Sequence, residues 1–330
     1  MMLAAVQGGC SPAPGDAGPR GNEQLPSREL RIVSLAPHLA ELVFAVGAGD
    51  LLVGVTAYTD YPDAAAALPV VGDAFSLDQE QLALLKPGLL LAWKSGTAAH
   101  AIDELEKRGY RVEAIETRGI ADVALALEKI GRLTGHDKQA AGAAKKFRHG
   151  IDELAGRYRD SEHISVFYQV SGRPLYTING DHYVSELIEI CGGRNIFDDL
   201  GSLAPLVDVE AVLARDPEVM VASDDSRQDA FSVWQRWPQL AANRYGNYFF
   251  LPANEIGRAT PRLLQAGDSL CEALDEARRN RDARRRAWTP PSPPPPQRLI
   301  RLRSHIVSEP DSSRARRLAM TNRRSESRFR

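Results

Sequence analysis

The chain has no run of roughly eighteen uninterrupted apolar residues, which excludes a conventional membrane-spanning helix. It also lacks a glycine-rich phosphate loop, an HExxH pair, a CxxC pair and a nucleophile-elbow sequence. The signatures of phosphoryl transfer, zinc hydrolysis, dithiol chemistry and serine hydrolysis are therefore missing, and the chain reads as a non-catalytic protein without a cofactor. Metal ligands are sparse too. His38 and Glu41 would share a helix face, but one His and one Glu leave the third and fourth positions of a metal site unfilled, so no metal is expected. His182, beside Asp181, reads as a helix-start residue rather than a ligand.

Lysine is absent from residues 281–330, which hold 14 Arg and only 4 acidic residues. Removing them from totals of 41 basic and 43 acidic side chains turns a net charge of -2 into a body near -12. Such an acidic body excludes a nucleic-acid partner for the folded part. At 330 residues the chain exceeds the size at which one hydrophobic core keeps growing, and two packed lobes are expected.

From Arg31 onward short apolar runs alternate with helical periodicity. Residues 31–35 read as a strand; Pro37 then opens a helix with Leu39, Leu42, Val43 and Val46 on one face, and Gly47 closes it. Further strands are expected at 51–56, 88–93, 111–115, 163–168, 218–222 and 248–251, with helical patterns between most of them. This is the pattern of βα units around largely parallel sheets, an α/β fold. Residues 137–159 are rich in Ala, Lys, Glu and Arg and contain no proline, so they are expected to form one long helix joining the two lobes. A helical connector implies modest opening and closing.

An internal echo supports two lobes of one plan. The segment from Asp78 through Glu80, Leu82 and Pro87 to Ala92 matches that from Asp208 through Glu210, Val212 and Pro217 to Ala222 at a constant offset of 130 residues. In both, an acidic cap and a Glu start a short helix, Pro ends it, and a buried strand follows. A second echo pairs Glu41-Leu42-Val43 and Gly47 with Glu186-Leu187-Ile188 and Gly192. Two such lobes facing each other leave a cleft, where ligands preferentially bind.

Five segments carry a family resemblance: Arg31-Ile-Val-Ser-Leu-Ala-Pro37; Gly54-Val55 with Tyr58-Thr-Asp60-Tyr61-Pro62; Leu85-Lys-Pro87 through Ala92-Trp93; Cys191-Gly-Gly193 with Asn195-Ile-Phe197; and Arg258-Ala-Thr-Pro261-Arg262. Together they resemble the helical-backbone class of periplasmic binding proteins, and within it the cobalamin branch that serves an ABC importer of vitamin B12. The resemblance covers roughly residues 31–274. It implies a corrin held in the interlobe cleft against Tyr58 and Trp93, with Phe75 beside another contact position. From the residues alone, Tyr58 and Trp93 read as core aromatics at strand ends. Two family tryptophans are absent, with Ala74 and Ala204 in their places.

The resemblance also implies that Glu80 and Glu210 meet arginines on a two-fold symmetric permease dimer, one acidic knob per lobe. Independently of any partner, a Glu in the first turn of a helix is favoured by the macrodipole. Cys191 and Cys271 match cysteines that are disulfide-bonded in the family. The implied protein is a periplasmic monomer that carries cobalamin as cargo. Haem or a ferric siderophore on the same scaffold is the alternative. An enzyme or metal-cluster-binding protein on a related two-lobed fold is the remote one.

The sequence before Cys10, Met-Met-Leu-Ala-Ala-Val-Gln-Gly-Gly, resembles the lipidation site of a bacterial lipoprotein, although Gln7 departs from the pattern and a basic n-region is lacking. Cys10 is thus a candidate lipid-anchor site, the other reading being a leader with a chance cysteine. The expected organisation is a leader and tether over 1–29, an N-terminal lobe over 30–136, a bridging helix over 137–160, a C-terminal lobe over 161–279 and a disordered basic extension over 280–330.

Overall fold

The structure, a computed structural model, describes residues 30–73, 76–226 and 230–287, all within one compact unit. The first half contains β1 (Ile32–Ser34), α1 (Pro37–Ala45), β2 (Leu52–Gly54), α2 (Asp63–Ala66), α3 (Gln79–Leu85), β3 (Leu89–Trp93), α4 (Ala99–Lys107), β4 (Val112–Ile115) and α5 (Ile120–Thr134). Helix α6 (Asp137–Tyr158) follows, 22 residues long, or about 33 Å at ~1.5 Å per residue. The second half contains β5 (Ile164–Gln169), a hairpin of β6 (Ser171–Gly172) and β7 (Leu175–Tyr176), α7 (Tyr183–Ile190), β8 (Gly193–Asn195), α8 (Val209–Arg215) and β9 (Val219–Ser223). It ends with α9 (Ala241–Tyr245), β10 (Tyr248–Leu251), α10 (Ala253–Ile256) and α11 (Leu263–Ala287).

Two all-parallel sheets result, with strand orders β2-β1-β3-β4 and β10-β9-β5-β8. Read from the opposite edge, the second order is the first one repeated: the leading strand is central, the next strand lies on one side and the last two on the other. The offset of 130 is kept to the residue, since α3 and α8 begin at Gln79 and Val209 and β3 and β9 at Leu89 and Val219. The local chemistry repeats as well. Asp78 accepts from the Glu80 and Gln81 amides at 3.0 and 2.9 Å, and Asp208 from the Ala211 amide at 2.7 Å. Both helices end on a left-handed residue, Lys86 (φ 47°) or Asp216 (φ 40°), immediately before proline. In the second echo Gly47 and Gly192 close α1 and α7 at φ 80° and 71°, where a Cβ would be strained.

The inner strands read as unbroken apolar runs because both of their faces are covered. In β3, Leu89 and Leu91 belong to one buried cluster and Leu90 and Ala92 to another; in β9, Val219 and Val221 divide from Met220 and Ala222 in the same way. One of these clusters is shared by the lobes. It runs from Ile32 and Leu91 through Leu127 of α5, Phe147 of α6, Leu187 of α7 and Leu270 of α11 to Val166 and Val221. Helix α6 joins the two halves as expected, but it is not alone: α5, α7 and α11 each present an apolar stripe to the same core, so the connection is a layer of helices. A shared apolar core of this kind resists large lobe rotation.

The C-terminal boundary also differs from expectation. Helix α11 continues through Ala287, eight residues past the expected lobe end at 279. Arg278 and Arg281 are buried: Arg278 donates to the carbonyls of Glu162 and Cys191, both at 2.6 Å, and Arg281 pairs with Glu162 at 2.7 Å. The first arginine of the basic segment, Arg281, is thus an internal anchor, invisible to a reading by composition. The remainder of that segment and residues 1–29, including Cys10, lie outside the described residues.

Candidate functional site

The C-terminal ends of the strands in both sheets lead into the loops that face across the lobes, the usual location of ligand sites in open parallel sheets. Four residues of the second half, Arg258, Arg262, Glu186 and Tyr183, make cross-lobe contacts that fix this arrangement. Arg258, beyond β10, donates to Glu41 of α1 at 2.8 Å and to the main-chain carbonyl of Tyr58 at 2.8 Å, and it also pairs with Asp60. Arg262 reaches Glu41 at 3.2 Å and lies 4.3 Å above the ring of Tyr61. From the other direction, Glu186 of α7 accepts from the Ile120 amide of α5 at 3.2 Å. The Tyr183 amide donates to the Arg118 carbonyl at 2.9 Å. Glu41 and Glu186, equivalent in the second echo, therefore each bind the opposite lobe. Burial raises the Glu186 carboxyl above its ordinary range, and the Ile120 amide offsets part of that rise.

Between these contacts the first lobe holds a cavity of about 500 Å³. Its walls come from the end of β1 (Leu35), the start of α1 (His38), the loop after β2 (Thr56, Tyr58), Trp93 and α4, and Arg258 stands at its edge. Tyr58 is 85% exposed, so it is not a core aromatic. Its φ of 66° is a left-handed conformation that costs a bulky residue strain, and the Arg258 hydrogen bond to its carbonyl helps hold it there.

Trp93 is partly buried and lines the cavity. The edge of its ring is packed against Gly96, where a Cβ would approach a ring carbon to 1.8 Å, and His38 meets it in a T-shaped contact at 5.1 Å. His38 lies 3.2 Å from the Thr117 hydroxyl through Nε2. Burial, assisted by the charge of Arg258, holds its pKa down at about 3, so the ring is neutral at physiological pH. The histidine therefore supports Trp93 and adds no charge to the cavity. The Trp93 indole N–H and the Thr56 hydroxyl, both buried, have no hydrogen-bond partner among the described residues.

The second lobe contributes a shallower recess of about 330 Å³ where β5 and β9 end, lined in part by Val170, Arg173 and Asp225. Beside it three apolar residues are exposed: Val170 (43%), Tyr176 (36%) and Leu206 (63%). Tyr176 and Leu206 are joined by an isolated bridge. Sequence reading missed this hairpin, since two-residue strands carry no periodicity. Its one signal was apolar residues in a turn-rich stretch. Ala204 is exposed next to it, where the family has a tryptophan.

Of the residues singled out from the sequence, Tyr58 and Trp93 line the same cavity. Phe75 lies outside the described residues, between Asp73 and Ser76, which also line it. Glu80 and Glu210 are both exposed in the first turns of α3 and α8, and their carboxylates form no ion pair among the described residues. Cys191 and Cys271 form a disulfide with a Cα–Cα distance of 4.8 Å, tying the end of α7 to α11. His182 caps α7 by accepting from the Val184 amide at 3.1 Å, as expected of a helix-start residue, and burial lowers its pKa to about 4. No group of three or more potential metal ligands occurs among the described residues, and no described helix is long and apolar enough to cross a membrane.

A family model described as periplasmic binding protein matches residues 32–255. The vitamin B12-binding protein of Vibrio parahaemolyticus is 32% identical over 252 residues, covering 76% of this chain and 91% of that protein. Among solved structures, the periplasmic vitamin B12 binding protein of Vibrio cholerae aligns with a TM-score of 0.69 and 32% identity over 75% of this chain and 97% of that one. The periplasmic heme-binding protein of Roseiflexus sp. RS-1 aligns with a TM-score of 0.67 over 75% and 99% of the chains, but at 21% identity that likeness speaks for the fold alone.

Proposed function

Because the chain belongs to the periplasmic binding protein family, we propose that it captures cobalamin reversibly in the interlobe cleft and delivers it, as a monomer, to the permease dimer of an ABC importer. The observation that carries this reading is Tyr58, a strained aromatic presented to solvent at the mouth of a cavity walled by Trp93. A broad macrocycle edged with amides is held by flat apolar surfaces and a few hydrogen-bonding groups. The first lobe supplies Tyr58 and Trp93, and the second supplies Tyr176 and Leu206 as the opposing surface. The relatives named for vitamin B12 binding agree with this choice of ligand.

Glu80 and Glu210 are the proposed docking knobs, one per lobe, meeting arginines of the permease through charge-assisted contacts. The shared apolar core limits the movement on ligand capture to a small closure. The site performs no chemistry in this reading and cobalamin is cargo, not cofactor. The family places the protein in the periplasm, and Cys10 is the proposed point of any lipid attachment.

Titration calorimetry of cyanocobalamin into the purified chain, with haem and a ferric siderophore titrated separately, tests the ligand. One-to-one cobalamin binding at submicromolar affinity with the other two weak is the expected result. Tight haem or siderophore binding with no cobalamin heat would move the assignment to those ligands.

A further inference from the structure

Helix α11 changes sign along its length. Its exposed face carries Glu272 and Glu276, and beyond them the exposed charges are basic: Arg279, Arg284, Arg285 and Arg286. Most of the charge packed beside them is already paired. The buried Arg281 is held by Glu162 at 2.7 Å, and Arg244 of α9 by Asp216 at 3.4 Å. Arg285 reaches Glu218 at 3.7 Å and hydrogen-bonds Tyr245, whose ring centre lies 5.5 Å from the Arg244 guanidinium. Arg279, Arg284 and Arg286 form no ion pair among the described residues. The end of α11 therefore presents a surplus of positive charge on a body that is otherwise acidic.

The macrodipole favours cations in the last turn of a helix, which accounts for Arg284, Arg285 and Arg286. It does not account for the ten further arginines, against three acidic residues, that follow Ala287 in the sequence. The residues among them narrow the partner. Trp288 follows the arginine triplet almost directly, and Leu299, Ile300 and Leu302 are interleaved with Arg298, Arg301 and Arg303. Cations suffice for the backbone of a nucleic acid, whereas apolar residues interleaved with arginine match the boundary between lipid headgroups and acyl chains. Guanidinium groups hold phosphate oxygens in bidentate fashion, so the polar half of that boundary is matched as well.

Position allows such a contact alongside ligand capture. Arg281 reaches the His163 carbonyl, just before β5, and Glu218, just before β9. The end of α11 thus lies at the N-terminal edge of those strands, opposite the edge whose loops face the cleft.

We propose that the basic end of α11, with the arginine-rich sequence that follows it, binds the surface of a bilayer containing anionic phospholipid. This holds the protein at the membrane in which the proposed permease resides. The contact does not depend on which ligand the cleft holds.

The experiment is co-sedimentation of the full chain, carrying Cys10→Ser so that no covalent lipid contributes, with two kinds of vesicle. One is phosphatidylcholine alone and the other is phosphatidylcholine mixed with phosphatidylglycerol. Two variants accompany it: Arg284→Gln with Arg286→Gln, and Arg298→Gln with Arg301→Gln and Arg303→Gln, each checked for folding by circular dichroism. Binding is expected to the mixed vesicles only, weakening at least about tenfold as sodium chloride rises from about 0.05 M to about 0.5 M. An arginine near an anionic surface strengthens binding roughly fivefold, so each variant should bind at least about fivefold more weakly. Cobalamin affinity should be the same for the parent and both variants. Equal binding to neutral vesicles, no binding to either kind, or binding to mixed vesicles that either variant leaves undiminished overturns the proposal. Tighter binding to duplex DNA than to the mixed vesicles at the same salt also overturns it. A chain that binds the mixed vesicles as expected but not cobalamin sustains this contact and removes the ligand assignment instead.

Discussion

Arg258 donates to the main-chain carbonyl of Tyr58 at 2.8 Å across 200 residues of sequence, and the same guanidinium pairs with the buried Glu41. The exposed aromatic at the mouth of the cavity is thus held by the other half of the protein. An elementary constraint lies behind this arrangement: Tyr58 at φ 66° needs an external tether. Glu41, 4% exposed, needs a cation if it is to remain charged. One arginine meets both needs.

Replacing Arg258 with Met is therefore expected to act twice. The loss of one partner from a buried ion pair costs at most about 3 kcal/mol, because Arg262 still contacts Glu41. Cobalamin affinity should fall by about tenfold as Tyr58 loses its tether. Urea unfolding reads the first effect and calorimetry the second. A variant with reduced stability and unchanged affinity would show that Arg258 serves only the lobe contact.

That tether could not be read from the sequence, although much around it could. The repeat at an offset of 130 was legible because caps, prolines and apolar runs are local signals, and it held to the residue in α3, α8, β3 and β9. Pro37, Gly47 and the long α6 were legible for the same reason. Contacts such as Arg258 with Tyr58, or Arg281 with Glu162, depend on the tertiary fold and leave no local trace. Composition misplaced the end of the second lobe because a buried, paired arginine and a solvated one are the same letter. Of the site itself, Tyr58 and Trp93 entered through family resemblance, since periodicity alone would have put both rings in the core.

Acid should destabilise the fold well before its carboxylates are exhausted. His38 and His182 have folded pKa values of about 3 and about 4, against an unfolded value near 6.5. Both values are depressed, so the stability each contributes is fully present above pH 6.5. It is lost progressively as pH falls from there toward the folded values, because only the unfolded chain takes up the proton. Urea midpoints measured from pH 7 to pH 4.5 should decline throughout that range. His182→Asn retains a side-chain cap for α7 and removes one titrating group, so its decline should be shallower by up to about 1.4 kcal/mol per pH unit. A His182→Asn profile parallel to that of the parent would contradict this account.

The disulfide between Cys191 and Cys271 closes a sequence separation of 80 residues between fully buried positions. Constraining the unfolded chain in this way contributes about 4 kcal/mol in the chain-entropy account. The Cys191→Ala, Cys271→Ala double variant should fold with a urea midpoint lowered to match. In the parent protein, mass spectrometry should find neither cysteine alkylated until reductant and denaturant are both present. Alkylation of both in denaturant alone would show that the bridge does not form.

Glu80 and Glu210 remain, and their placement makes them separable from everything else. Each sits in the first turn of a seven-residue helix, exposed, without an ion pair among the described residues. Both are outside the lining of the first-lobe cavity. As helix-start carboxylates they contribute roughly 0.3–1 kcal/mol each through the macrodipole, a modest term that the Asp78 and Asp208 caps largely make unnecessary. The Glu80→Ala, Glu210→Ala double variant should therefore keep its cobalamin affinity and lose little stability. What it should lose is stimulation of ATP hydrolysis by the reconstituted importer, and each single variant should lose part of it, since the proposed docking gives one carboxylate to each half of the permease. The charge-preserving Glu→Asp double variant should retain more stimulation than the alanine variant but less than the parent, because the proposed contact is electrostatic and a shorter side chain reaches less far. Undiminished stimulation by the alanine double variant would reduce these two residues to helix-start carboxylates and nothing more.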